Sequence, residues 1–188
     1  MELFPHPEFG FLNGWLLVVT FYLVNGILLI LFPAPVVARI YGRSGARRAG
    51  LDRRIFGLLT FLFLSWLILS LLTPLKRGDP VLVLGLALFC LGLVGFVIAL
   101  FNYKNTPLDQ PVASGLYRIS RHPQQLTTYL TFSGISTAMG SWLALAVIGA
   151  SIIVAHVLIL AEEEACLRRY GESYRKYIDH VPRYFLFF

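Results

Sequence analysis

An all-α, polytopic membrane protein is predicted from three observations. Hydrophobic residues make up 57% of the 188-residue chain and charged residues only 14%, where about 25% charge is ordinary for a soluble domain. Three runs free of charge, 11–32, 55–73 and 81–101, each supply the roughly 20 helical residues that cross ~30 Å of hydrocarbon. The sixteen Lys and Arg lie between such runs rather than in them. A soluble globule is excluded, because 26 charged side chains cannot cover the surface of such a chain. The same composition excludes disorder, and two Cys are too few for a disulfide scaffold or a cysteine-built zinc site.

Each element follows from local chemistry. The first run is read as a retained helix rather than a cleavable leader, since Glu2 and Glu8 stand where a basic segment would be needed. A fourth apolar region, 124–160, has 37 residues and as one helix would measure about 56 Å, nearly two membrane thicknesses. It is therefore expected to fold back at Gly140-Ser141. That gives a hydroxyl-rich fourth helix over 124–139 and an apolar fifth over 142–160, five spans in all. Beyond Leu160, the residues Leu167, Tyr170, Tyr174 and Tyr177 recur at three and four, which predicts an amphipathic interfacial helix over 162–178, ended by Pro182. The whole chain is one membrane domain: 1–101 holds three spans, and 102–188 holds a polar loop, the hairpin and the tail.

Charge orients this bundle. Fourteen Lys and Arg fall on one side under the five-span reading and two, Lys76 and Arg77, on the other, so the N-terminus is expected outside and the C-terminus in the cytosol. A single span over 124–160 would erase the asymmetry. The net charge of +6 thus reflects span-flanking residues and not a nucleic-acid surface. Arg39, Arg43, Arg47, Arg48, Arg53 and Arg54 in the first loop either set topology or gather anionic lipid head groups. Cys90 and Cys166 are read as reduced packing residues.

Polar chemistry concentrates in two segments on the cytosolic side, 102–123 and 161–183, which enter and leave the same hairpin. Pro123 suits the first turn of a helix, so Arg121 and His122 sit at a helix N-terminus. That is either a seat for a carboxylate or phosphate or an ordinary interfacial pair. Glu162, Glu163 and Glu164 follow the fifth span, where acids oppose the helix dipole, so the helix continues or the cluster meets a cation. His156 lies inside the fifth span, seven residues before Glu163. The commoner role for such a residue is a hydrogen bond to a hydroxyl, here one of the fourth helix's Thr and Ser. No metal-ligand spacing links the histidines to the Glu run.

The motifs Ser114-Gly115-Leu116-Tyr117-Arg118, Arg121-His122-Pro123, Glu163-Glu164-Ala165-Cys166-Leu167, Tyr170-Gly171, Tyr174, Tyr177 and Val181-Pro182-Arg183 together span about seventy residues. They resemble the membrane methyltransferase family that includes isoprenylcysteine carboxyl methyltransferase and phospholipid N-methyltransferases. The resemblance implies an S-adenosylmethionine-dependent methyltransferase that acts from the cytosolic face on a lipid or lipidated acceptor entering from the bilayer. It implies that Tyr117, Arg121, His122, Pro123, Gln125, Glu163, Glu164 and Tyr177 surround the cofactor, Arg121 and His122 holding its carboxylate. Glu163, Glu164 and Arg183 are implied as catalytic. After Arg-His-Pro the family usually has an aromatic residue and then Gly, but this chain has Gln125 and Thr127. A carboxylate acceptor needs no base, whereas an amine must first lose a proton, and the residues leave both open. The alternatives are a nicotinamide-dependent membrane reductase resembling steroid 5-alpha-reductases, for which no Gly-x-Gly-x-x-Gly appears, and a non-catalytic lipid-binding protein, which has no use for the paired polar motifs.

Overall fold

The computed structural model describes residues 1–3, 5–40 and 53–185. Among these the fold is entirely helical: α1 (Trp15–Leu31), α2 (Arg53–Leu72), α3 (Pro80–Lys104), α4 (Pro123–Ala138), α5 (Trp142–Tyr170) and α6 (Glu172–His180), with a 3-10 turn at Gly115–Arg118 and a helical segment over 34–40. Helices α2, α3 and α5 are each long and apolar enough to cross a membrane, while α1, with 17 residues, is a shorter apolar helix. Their exposed side chains are large and apolar, among them Ile30, Phe61, Leu91 and Ile153. That is the surface hydrocarbon requires and water would penalise. Arg43, Arg47 and Arg48 of the first loop, and Leu186 to Phe188 at the aromatic end, lie outside the described residues.

Helix boundaries follow the sequence signals. Phe32, held extended before Pro33, ends α1. Asp79 caps α3 by accepting from the Val81 N–H at 2.9 Å, with Pro80 in the first turn. The hairpin turns where expected: Gly140 has φ +65°, a conformation that a Cβ would strain, and Ser141 caps α5 through the Ala144 N–H at 3.1 Å.

Helix α4 is the central one. It has 16 residues, about 24 Å of helix, and buries most of its second half, including Thr131, Phe132 and Ile135. Trp66 of α2 reaches it, stacking 4.6 Å from Phe132 and donating its indole N–H to Ser136 Oγ at 2.9 Å. Its contact with α3 is the most extensive in the molecule. Gly85 and Gly134 let the two backbones meet: a Cβ on Gly134 would lie 2.4 Å from the Phe89 nitrogen, and one on Gly85 would lie 2.2 Å from the Ala138 nitrogen. Small residues perform this service in membranes, where packing rather than the hydrophobic effect joins helices.

Two expectations are corrected. The fifth span does not stop near Leu160 with a separate helix over 162–178. Instead α5 runs 29 residues to Tyr170, about 43 Å, and so extends well past a ~30 Å core. The Glu run is thereby removed from the helix end, and Arg168 and Arg169 occupy the last turn, where their charge suits the dipole. Gly171, with φ +55°, then redirects the chain into α6. The second correction concerns His156, whose Nδ1 meets the Tyr184 hydroxyl at 2.8 Å and not a hydroxyl of the fourth helix. Thr127, Thr128, Thr131, Ser136 and Thr137 donate to carbonyls of their own helix, which satisfies them where they stand.

The connections gather at two ends. At one, the Glu2 N–H donates to the Gly140 carbonyl, the Leu75 N–H to Leu12, the Lys76 N–H to Ala138, and Lys76 pairs with Glu2. At the other lie the 34–40 segment, the 103–122 loop, the end of α5 and the tail, joined by the bonds described next. The N-terminal residues and the C-terminal tail are therefore at opposite ends of the bundle.

Candidate active site

The polar cluster begins with the backbone. Pro123 cannot donate a main-chain hydrogen bond and starts α4, leaving His122 at the cap with φ −127° and ψ 50°. The tail runs alongside: the Arg121 N–H donates to the Pro182 carbonyl at 3.0 Å, and the Ser120 hydroxyl donates to the Arg183 carbonyl at 2.8 Å while accepting from the His122 N–H at 3.1 Å. The two motifs far apart in sequence are thus stitched together through main-chain atoms.

Glu163 is the hub. Its Oε1 lies 3.1 Å from His122 Nε2, and Arg183 forks onto it with Nε 3.1 Å from both oxygens and Nη2 2.8 Å from Oε2. Arg121 Nε lies 3.0 Å from Oε1, too oblique for a hydrogen bond but a close ionic contact, and its Nη1 donates to the Ile178 carbonyl at 3.2 Å. A carboxylate only accepts, so the His122 proton sits on Nε2. Glu162 Oε1 lies 3.9 Å from the other ring nitrogen, Nδ1. Arg121, His122, Glu162 and Glu163 are all buried, and with Arg183 they set two guanidinium groups and an imidazole against two carboxyl groups. Removing such charges from water is tolerable only because each is balanced within the group. The bonds to Glu163 also raise the Arg183 pKa above the ordinary guanidinium value.

Beside this cluster is a cavity of about 90 Å³. It is lined by Tyr103, Tyr117, Tyr170, Tyr174 and Tyr177, together with Glu162, Arg121, Cys166, Arg39 and Arg169. The Tyr177 hydroxyl donates to the Tyr117 carbonyl at 2.7 Å, which fixes α6 against the 3-10 turn.

Of the residues singled out from sequence, the structure brings together Tyr117, Arg121, His122, Pro123, Glu163, Tyr177 and Arg183. Glu164 is not among them; it is exposed and pairs with Arg168 one turn on. Glu162 occupies the buried position instead. The phase is that of α5's packing: the buried stripe Ala144, Ile148, Ala155, Ile159, continued by three residues, arrives at Glu162. Gln125 is half-buried and donates to the Tyr129 hydroxyl at 3.1 Å, away from the cavity. Thr127, where the family usually has Gly, faces α3 at Gly92 and Gly95, and a Cβ on Gly95 would lie 2.6 Å from its methyl. The glycine has in effect moved to the opposing helix. Arg39 and Tyr103 lie outside the recognised motifs: Arg39 stood out only as one of the first-loop arginines, and Tyr103 only as part of the polar segment 102–123.

The fold and this cluster define an integral membrane protein with a buried cluster of paired charges and an aromatic cavity at one end of a helical bundle. Residues 80–173 match the model of the phospholipid methyltransferase family, and the chain belongs to that family: it is a membrane methyltransferase. The matched segment runs from α3 through the Glu run and ends short of Tyr177 and Arg183. Neither a curated protein nor a solved structure matches the chain.

Proposed function

We propose that the protein transfers the methyl group of S-adenosylmethionine to a lipid-borne acceptor at the cytosolic face of a membrane. The tyrosine-lined cavity against the Glu162–Glu163 cluster carries this reading. Its donor set fits the cofactor: ring faces for a purine, and a buried carboxylate on Glu162 opposite a sulfonium and ammonium. When bound, the cofactor supplies an electrophilic methyl group on a positively charged sulfur. Tyr117 and Tyr177, tied to one another, hold the nucleoside, while Glu162 offsets its positive charge. Glu163 and Arg183 act as positioning residues that keep His122 and the α5 end in place, and Glu164 and Gln125 stand outside the site. Because methyl transfer from a sulfonium disperses charge, alignment and exclusion of water are what these walls contribute. A cavity of about 90 Å³ is below the roughly 300 Å³ of typical ligand pockets, so binding must widen it.

The test is thermal. S-adenosylhomocysteine at one hundred times its Kd should stabilise the detergent-purified protein by about 2.7 kcal/mol, read as an upward shift in melting temperature, while NADPH leaves it unchanged. Stabilisation by NADPH alone would transfer the assignment to the reductase class.

The cytosolic placement rests on the end that carries all but two of the Lys and Arg. In a background lacking Cys90 and Cys166, Ser173→Cys should react only with reagents that reach the cytosol and Gly78→Cys only from outside. Both positions are exposed, at opposite ends of the bundle. Labelling with the faces exchanged would invert the orientation.

A further inference from the structure

We propose that Arg39, from the N-terminal half of the chain and outside the family-matched segment, is the residue that binds the cofactor's carboxylate. The proposal rests on the methyl-donor reading above and names a partner that reading lacks. Sequence motifs point to Arg121 and His122 for this task, but the structure commits both to Glu163, and Arg121 also to the Ile178 carbonyl. Both therefore already face a carboxylate of the protein itself.

Arg39 is differently placed. It is 5% exposed, lines the cavity, and lies with its guanidinium 4.3 Å from the centroid of the Tyr103 ring. Its terminal nitrogens donate to the carbonyls of Pro107 at 2.6 Å and of Thr106 and Tyr103 at 3.3 Å, all neutral acceptors. Its Nε–H is buried and has no acceptor. A buried cation that among the described residues meets carbonyls and a ring, with one donor unused there, is costly unless an anion completes it. The carbonyl bonds and the stacked ring fix the plane of the guanidinium, so little entropy is lost when a carboxylate arrives. Glu162 lines the same cavity. A zwitterionic amino-acid tail therefore meets a cation, an anion and tyrosine rings within one cavity.

The experiment compares two ligands on the full-length protein in detergent: S-adenosylhomocysteine, and its decarboxylated analogue, which keeps the purine, thioether and ammonium. Wild type should prefer the carboxylate-bearing ligand by about ten- to a hundredfold in Kd, the value of one charge-assisted contact in a desolvated site. In Arg39→Gln that preference should fall to near parity, while affinity for the decarboxylated ligand changes little. Arg39→Lys keeps the charge but not the planar donor, and serves as the variant of record if Arg39→Gln folds poorly; its preference should fall at least threefold. An unchanged preference in the folded variant overturns the proposal, and if turnover of a lipid acceptor falls in that same variant, Arg39 serves the acceptor head group instead. Wild type that binds neither ligand overturns the methyl-donor reading and this proposal together. Wild type that binds S-adenosylhomocysteine with no preference over the analogue overturns this proposal alone.

Discussion

Glu163→Gln should destabilise the protein by about 3–5 kcal/mol, the cost of breaking a buried ion pair from one side. The amide leaves the buried Arg121 without its counter-charge, and its single acceptor oxygen cannot serve both His122 Nε2 and the Arg183 fork. A lost carboxylate charge here is thus a structural loss before it is a functional one. Thermal or denaturant midpoints in detergent measure it. Two companions sharpen the result. Glu164→Gln, which removes only an exposed pair with Arg168, should lie within about 0.5 kcal/mol of wild type. Adding Arg183→Gln to Glu163→Gln should recover part of the loss, because one uncompensated charge disappears with it. If Glu163→Gln were as stable as wild type, the tail would not be held by this carboxylate.

Gly134→Ala should be comparably damaging without touching any polar group. The added methyl would meet the Phe89 nitrogen at 2.4 Å and the Gly85 carbonyl oxygen at 2.8 Å. Both are main-chain atoms of a helix that cannot yield by a rotamer change. Ordinary overpacking costs about 1–3 kcal/mol, and this contact should reach or exceed the upper figure, because α3 and α4 must separate along their whole interface. Gly149→Ala provides the contrast. Nothing lies within 4 Å of a Cβ there, and replacing a mid-helix Gly should stabilise α5 by up to about 1 kcal/mol. Equal effects at the two positions would mean that α3 and α4 are not packed backbone to backbone.

Much of this molecule could be read from one dimension. Charge-free runs long enough to cross hydrocarbon locate α1, α2 and α3, because an unpaired charge in lipid is too costly to be common. The length of 124–160 demands a turn, and Gly140-Ser141 is where the chain can make one. Pro123 fixes the start of α4 and so places Arg121 and His122 at its mouth. The motif residues mark which loops meet, and the structure joins them through Ser120, Pro182 and Glu163.

Other features needed three dimensions. Three consecutive glutamates look alike in sequence, yet 100° of rotation per residue buries Glu162 and Glu163 and leaves Glu164 in water, and only the packing of α5 sets that phase. The same continuity carries α5 past Leu160, since a Glu run is unfavourable at a helix end but harmless when the helix goes on to Arg168 and Arg169. Thr127 is tolerated because Gly92 and Gly95 face it from another helix, a compensation that no local pattern reveals. Arg39 and Tyr103 reach the cavity from outside the recognised motifs, and no local pattern tells that they meet there. The sequence determined the membrane, the hairpin and the chemical identity of the polar cluster, because hydropathy, chain length and proline act locally. Tertiary structure decided which of those polar groups satisfy one another and which face a cavity, because pairing and burial depend on neighbours that are distant along the chain.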